Sequence, residues 1–113
     1  MKTINHEAMN NNVVYLGSQI VLNVYIEPID GVTAKDYDFN VSVYCTPKRS
    51  VENSKEDLFP VDANNYLGLV DTEDIGIGVI TCKVEAMLPD GRFPNGVRRE
   101  IKVINTGLNI VKA

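Results

Sequence analysis

The pattern that most restricts the fold is an alternation of apolar and polar residues from Ile80 to Ala86, within the segment Val79 to Leu88. The side chains of a β-strand point alternately to the two faces of a sheet, whereas a helix repeats every 3.6 residues. The segment is therefore predicted to be a strand with one buried face. The residues on that face are Ile80, Cys82, Val84, Ala86 and Leu88, and the residues between them are Thr81, Lys83, Glu85 and Met87.

The same period recurs along most of the chain. It predicts strands over residues 20–26, 36–46, 65–71 and 97–104, and a short apolar piece follows at 108–111. Alternation places the apolar members of each strand on one side, where they can face a common core. In the third of these strands the residues expected to pack are Tyr66, Leu67, Leu69 and Val70.

Turn residues separate the strands, notably Gly17-Ser18 and Asp30-Gly31, and residues 48–57 form a charged connection with at most one helical turn. Short strands with frequent turns and no helical period predict an all-β fold: an antiparallel immunoglobulin-like sandwich of about six to eight strands. The chain has no Trp, so this likeness concerns architecture, and a small barrel remains the alternative. We expect an extended N-terminal arm over residues 1–11 and one domain over residues 12–113.

The net charge of −4 argues against nucleic acid as a partner, because phosphate binding requires a clustered excess of Lys and Arg. The one basic cluster, Arg98-Arg99 with Arg92 and Lys102, is interpreted as a solvated strand end and not as a functional patch. Apolar runs are far shorter than the roughly 20 residues that cross a bilayer, so no membrane partner is expected. The first residues lack the apolar segment of a secretory signal peptide, so none is expected there.

The sequence does not indicate an enzyme or a bound cofactor. Its single histidine, His6, lies in the predicted arm, where nothing fixes it beside a nucleophile or an acid. Cys45 and Cys82 follow the apolar phase of their strands, which favours two buried free thiols, with a cross-strand disulfide as the alternative. Their spacing does not match a zinc site.

An acidic segment precedes the strand at Val79. Asp71, Glu73 and Asp74 are weak candidates for a metal site, because Ca²⁺ prefers several carboxylate and carbonyl oxygens from one loop. The spacing is not that of an EF-hand, and acidic turns before strands are common. The preferred interpretation is a solvated turn without a metal.

The stretch L-P-D-G-R-F-P-N-G-V, residues 88–97, joins two predicted strands. Pro89-Asp90-Gly91 predicts one turn, with Pro at its first central position, and Asn95-Gly96 predicts a second. Between them Phe93-Pro94 either tucks under the end of the sandwich, which we prefer for so short a loop, or projects as a contact. The residues assigned to partner binding are Arg92, Phe93, Pro94 and Asn95 of this loop, with Ile4 and His6 of the arm.

Residues 71–110 resemble a pattern in small virion proteins of phages and prophages of gut Bacteroidetes. The resemblance rests on the acidic turn with I-G-I-G, the long strand, the P-D-G-R-F-P-N-G loop and the terminal T-G-L-N-I. The segment L-G-S-Q-I-V-L-N-V-Y-I with the following D-G is similar to the first hairpin of immunoglobulin-like virion modules. This chain departs from the pattern at Asn95, where the pattern has Asp, and at Gly91-Arg92 inside the loop.

The resemblance implies a virion structural protein without catalytic residues. The preferred role is a capsid auxiliary, or decoration, protein that binds the head shell by protein–protein contacts; the major capsid, portal or fibre proteins are its expected partners. Such a protein is assembled in the host cytoplasm, and the symmetry of the virion could make it an oligomer. The alternatives are a tail or head-fibre adaptor, or a bacterial surface or periplasmic adhesion module that binds carbohydrate or peptide.

Overall fold

Two β-sheets dominate the computed structural model, which describes residues 2–3 and 12–112. The single α-helical turn in these residues is α1 (Thr72–Ile75), and 3₁₀ turns lie at Ala34–Asp36 and Lys55–Asp57. The strands are β1 (Lys2–Thr3), β2 (Val13–Tyr15), β3 (Gln19–Tyr25), β4 (Asp38–Tyr44), β5 (Ser50–Ser54), β6 (Phe59–Pro60), β7 (Asn65–Asp71), β8 (Gly78–Pro89) and β9 (Val97–Val111).

The strand orders are β1-β3-β7-β6 in the four-stranded sheet and β2-β9-β8-β4-β5 in the five-stranded sheet. All pairs are antiparallel except β2 with β9, which run parallel. The all-β prediction is confirmed, but the expectation of purely antiparallel pairing is wrong for β2. Of the predicted arm, residues 2–3 pair with β3, and residues 1 and 4–11 lie outside the described residues.

The core lies between the sheets and follows the alternation seen in the sequence. Phe39 of β4 is fully buried and meets the ring of Tyr66 edge to face, with ring centroids 5.0 Å apart. Tyr37 also packs edge to face with Phe39, with ring centroids 6.3 Å apart. The alternating apolar residues of β3, β4 and β8 that are buried are Ile20, Leu22, Val24, Phe39, Val41, Val43, Ile80, Cys82, Val84, Ala86 and Leu88.

Strand β7 departs from the predicted packing at Leu69, whose side chain is 77% exposed. The inward positions of β7 are Tyr66, Gly68 and Val70, so Leu69 faces outward by alternation. Gly68 has no side chain because the space is taken: a Cβ there would lie 3.0 Å from Leu58 Cδ2. Leu58 therefore supplies the apolar group that β7 lacks at this position.

The charged connection at residues 48–57 contains a strand that the sequence analysis missed. Strand β5 pairs with β4 alone, from Ser50 opposite Tyr44 to Ser54 opposite Asn40. As an edge strand it needs few apolar residues, and Val51 alone packs against the core. The helical turn allowed for this region is the 3₁₀ turn at Lys55–Asp57, which Ser54 and Asp57 close as a capping box.

Strand β9 is continuous across Asn105-Thr106-Gly107, where the sequence predicted a break. Thr81 pairs with Asn105 but Val79 pairs with Asn109, so Ile80 alone lies opposite three residues of β9. The Thr106 hydroxyl donates to the Ile80 carbonyl at 2.8 Å, and Gly107 takes a φ of +77°. A bulge thus carries the strand through this segment.

The described residues contain no helix long and apolar enough to span a membrane.

Candidate functional site

The loop between β8 and β9 is built from two consecutive β-turns, each offset from its predicted position. The Phe93 amide donates to the Asp90 carbonyl at 3.2 Å, and the Gly96 amide donates to the Phe93 carbonyl at 2.9 Å. Pro89 is the last residue of β8, not a central turn residue, and Pro94 takes that place in the second turn. The Asp90 carboxylate accepts from the Arg92 amide at 3.0 Å, which fixes the first turn.

The four predicted contact residues of this loop lie together at the tip of the hairpin. Phe93 does not tuck under the sandwich as we expected; it is 42% exposed and shares a surface depression with Met87 and Val97. Arg92 is held by Asp90, with Nε–Oδ1 and Nη2–Oδ2 distances of 2.9 and 2.7 Å. Ile4 and His6, the predicted contacts of the arm, lie outside the described residues.

Exposed apolar residues follow Phe93 along the outer face of β9, where Arg99 separates Val97 from Ile101 and Val103. The three β9 residues of this set pair with Pro89, Glu85 and Lys83 of β8, which face away from the core. Ile101 is 60% exposed and Val103 is 59% exposed. We refer to Phe93, Val97, Ile101 and Val103 as the outer row.

The opposite face of β9 carries charged residues where a core strand would carry apolar ones. Arg98, Glu100 and Lys102 pair with Leu88, Ala86 and Val84, whose side chains point into the sandwich. Loop residues after β3 meet these charges: Arg98 lies 2.6 Å from Asp30, and Lys102 forms an ion pair with Glu27. This half of β9 therefore carries charged side chains on the face that it shares with the core of β8, and mainly apolar side chains with Arg99 on the outer face.

The basic cluster predicted to be a solvated strand end is paired with carboxylates throughout. Arg98 also lies 3.7 Å from Asp90 and 3.3 Å from Glu100, and Arg99 contacts Glu85 at 2.9 Å. Hydrogen bonds from the Arg92 guanidinium hold the pKa of Asp90 well below its usual range. The positive charge here is balanced locally, which disfavours a phosphate-binding patch.

Over most of its length, one edge of β9 pairs with no strand of the described part of the chain. The parallel strand β2 covers Asn109–Val111, and no other strand among residues 2–3 and 12–112 pairs with that edge. We call residues 97–105 of this edge the free edge of β9. Its unpaired backbone groups can accept another strand.

A cleft of about 210 Å³ opens between the sheets beside this edge. Val84 and Ala86 form its apolar floor, and Glu100 and Lys102 lie at its rim. The Tyr37 hydroxyl in its wall donates to the Glu27 carbonyl at 2.8 Å, and burial raises the pKa of Tyr37 to about 12. The phenol stays neutral at physiological pH and acts as a structural donor.

A second apolar patch lies on the outer face of the four-stranded sheet. Leu69 is joined there by Phe59, which is 68% exposed, and by the partly exposed Val21 and Leu67. The sequence analysis assigned Leu67 and Leu69 to the core. The signal that could have identified them as surface residues is Gly68, since alternation around an inward glycine turns both neighbours outward.

The acidic segment is a helix cap. The Asp71 carboxylate accepts from the Glu73 amide at 3.0 Å and begins α1, while the Arg49 guanidinium donates to the Glu73 carbonyl. Within the described ranges, no three Asp, Glu, Cys or His side chains are grouped so that they could hold a metal ion. The carboxylate of Asp71 is thus committed to the backbone of its own turn.

Both cysteines are free thiols. Cys82 is fully buried in β8, and burial raises its pKa to about 12. Cys45 is half-buried at the end of β4, where its Sγ lies 3.4 Å from the carbonyl oxygens of Gly76 and Gly78. Neither thiol is presented as a reactive nucleophile.

Comparisons of the chain with protein-family models, with curated proteins and with solved structures find no match.

Proposed function

We propose that this chain is a structural protein of a phage virion: an immunoglobulin-like capsid auxiliary protein that binds the head shell through protein–protein contacts. The observation that carries the proposal is the outer row, a line of exposed apolar side chains from Phe93 to Val103. Several exposed apolar side chains on one face of a folded domain favour an interaction site, because water disfavours them, and Arg99 within the row adds a polar contact. The proposed role needs a rigid domain with such a surface and no chemistry.

The strand order supports the immunoglobulin-like part of the proposal. In that fold the sheets are A-B-E-D and G-F-C, and variable-type domains add C′ beside C. Assigning β3, β7 and β6 to B, E and D, and β9, β8, β4 and β5 to G, F, C and C′, reproduces this order. Strands β1 and β2 then correspond to a first strand divided between the two sheets.

The inter-sheet disulfide of antibody domains has no counterpart here, since Cys82 of β8 is a free thiol. The apolar residues Ile20 and Leu22 occupy the core side of β3 instead. The proposed domain therefore depends on its packed core for stability, as suits a protein that matures in a reducing cytoplasm.

The resemblance of residues 71–110 to small phage proteins supports the virion part of the proposal. Much of that resemblance falls on the hairpin that carries Phe93. The same residues thus suggest both the class of protein and the surface by which it binds. The hairpin projects loop residues from a rigid sheet, which is a common arrangement for binding.

A pull-down from cells that produce the virions tests this function. The tagged chain should recover shell or portal protein, and Phe93→Asp should reduce that recovery because it places a charge in the contact. Phe59→Asp is the matched control, since Phe59 is also an exposed aromatic residue but lies on the other sheet. Recovery of host envelope components alone would refute the virion role and favour a surface adhesion module.

A further inference from the structure

The hydrogen-bond pattern of the β8–β9 hairpin fixes which backbone groups the free edge presents. The Asp90 amide donates to the Gly96 carbonyl at 2.9 Å, directly beside the pair of Pro89 and Val97. In an antiparallel ladder, bonded and non-bonded residue pairs alternate. The even-numbered residues from Arg98 to Ile104 therefore bond to β8, and the amides and carbonyls of Arg99, Ile101 and Val103 point to the free edge.

We propose that a second copy of this chain pairs with the free edge, so that two β9 strands run antiparallel about a two-fold axis at Ile101. The five-stranded sheets of the two copies then form one continuous sheet. Two-fold dimers use the same patch on both subunits, so the edge must complement itself. This inference concerns the isolated protein and does not depend on the virion role.

The charges on β9 complement each other in this register. With Ile101 opposite Ile101 of the second copy, Glu100 lies opposite Lys102, and the symmetry repeats the pair. Both side chains remain accessible beside their own ion pairs with Arg98 and Glu27, because that of Glu100 is 48% exposed and that of Lys102 is 58% exposed. Opposite charges directly across a strand pair stabilise it, and like charges destabilise it.

Neighbouring registers either bring like charges together or lose the charge pairs. A shift of the axis by one residue puts Glu100 opposite Glu100 or Lys102 opposite Lys102. A shift by two in one direction places Arg98 opposite Glu100 but also puts Arg99 opposite Arg99 at the axis. In the other direction, with the axis at Val103, Lys102 faces Ile104 and Glu100 faces Thr106, so no charge pair forms. Ile101 is also the midpoint of residues 97–105, so the proposed register uses the whole free edge.

The outer-face side chains of the two β9 strands are also compatible in this register. The two Ile101 side chains meet at the axis, and Val103 lies beside the aliphatic part of Arg99 from the other copy. Ile101 and Val103 are among the most exposed apolar residues described, and this contact removes part of their surface from water. On the inner face, the added strand lies next to the rim of the inter-sheet cleft at Glu100 and Lys102.

Charge reversal tests the register by analytical ultracentrifugation. The unaltered chain should sediment as a concentration-dependent dimer. E100K and K102E should each weaken the dimer by about tenfold or more, since each creates two like-charge pairs. An equimolar mixture of the two variants should associate again, because opposite charges then meet at both positions. E52K, with the same charge change on β5 at the other edge of the sheet, should dimerise normally.

Amide hydrogen exchange locates the contact independently of mutation. Raising the concentration should slow exchange at Arg99, Ile101 and Val103, while Arg98, Glu100 and Lys102 are protected by β8 at every concentration. A chain that remains monomeric at all concentrations would overturn the proposal. So would a dimer that survives E100K and shows its protection on the Phe59 and Leu69 face.

Discussion

The Thr72 hydroxyl joins α1 to the turn between β2 and β3: it donates to the Ser18 carbonyl and accepts from the Gly17 amide, both at 2.8 Å. Thr72 is completely buried, and its own amide also donates to the Ser18 carbonyl at 3.0 Å. Gly17 holds a φ of +100° in this turn, which a residue with a side chain adopts at a cost. One hydroxyl thus fixes a connection between the two sheets.

Thr72→Val should lower the free energy of unfolding by about 0.5–1.5 kcal/mol, because it keeps the shape of the side chain but removes the hydroxyl that bonds both Gly17 and Ser18. Equilibrium urea denaturation measures the change. Thr72→Ser retains the hydroxyl and should recover most of the loss. A Val variant as stable as the original chain would show that the Gly17 amide finds another acceptor.

Asp90 should make the stability of the hairpin depend on pH in the acid range. Arg92 lowers the pKa of Asp90 in the folded chain, whereas the unfolded carboxyl titrates near pH 3.9. The stabilisation is therefore complete well above pH 3.9 and is lost as the pH falls below it toward the lowered pKa. Asp90→Asn keeps an oxygen for the Arg92 amide but removes the charge.

Denaturation midpoints of the original chain and Asp90→Asn should therefore differ at pH 7 and converge as the pH falls below about 4. Glu56→Gln, which neutralises an exposed carboxylate in the Lys55–Asp57 turn, is the control for charge alone. A constant difference at all pH values would contradict an effect of Asp90 ionisation.

Cys82 should react with a thiol reagent at pH 8 far more slowly than Cys45. Burial raises the pKa of Cys82 to about 12, so almost none of it is thiolate at that pH, and the sulfur is also inaccessible. Single-thiol variants Cys45→Ser and Cys82→Ala separate the two rates in a spectrophotometric assay. Denaturant should equalise them, and rapid labelling of Cys82 in the folded chain would contradict its position in the core.

The positions of the interior strands, which have a paired strand on each side, were predictable from the alternation of apolar and polar residues. Strands β3 and β8 lie inside their sheets, so the core selects every second residue. Strand β5 was missed because an edge strand is held by backbone bonds to β4 and needs little apolar side-chain area. Its polar sequence has no alternation from which the strand could be predicted.

The faces of β9 could not be assigned from its own residues. Local alternation separates Arg99, Ile101 and Val103 from Glu100 and Lys102, but the apolar set would ordinarily be placed inside. The charged set instead lies on the sandwich side, where Asp30 and Glu27, more than sixty positions away in the chain, supply counter-ions to Arg98 and Lys102. The loop residues of the candidate site were found from turn chemistry, while the outer row depended on this long-range pairing.

The bulge at Asn105–Gly107 divides β9 into two parts with different structural roles. After the bulge, Leu108 and Ile110 are buried in the core. Before the bulge, β9 contributes no fully buried side chain. At the bulge β9 has two more residues than β8. Because two is an even number, even-numbered residues of β9 point to the same face of the sheet before and after the bulge. The hairpin could therefore be shortened or lengthened at its tip by matched pairs of residues without moving the closing segment. The tip of the β8–β9 hairpin can therefore change in sequence while Leu108 and Ile110 stay packed in the core.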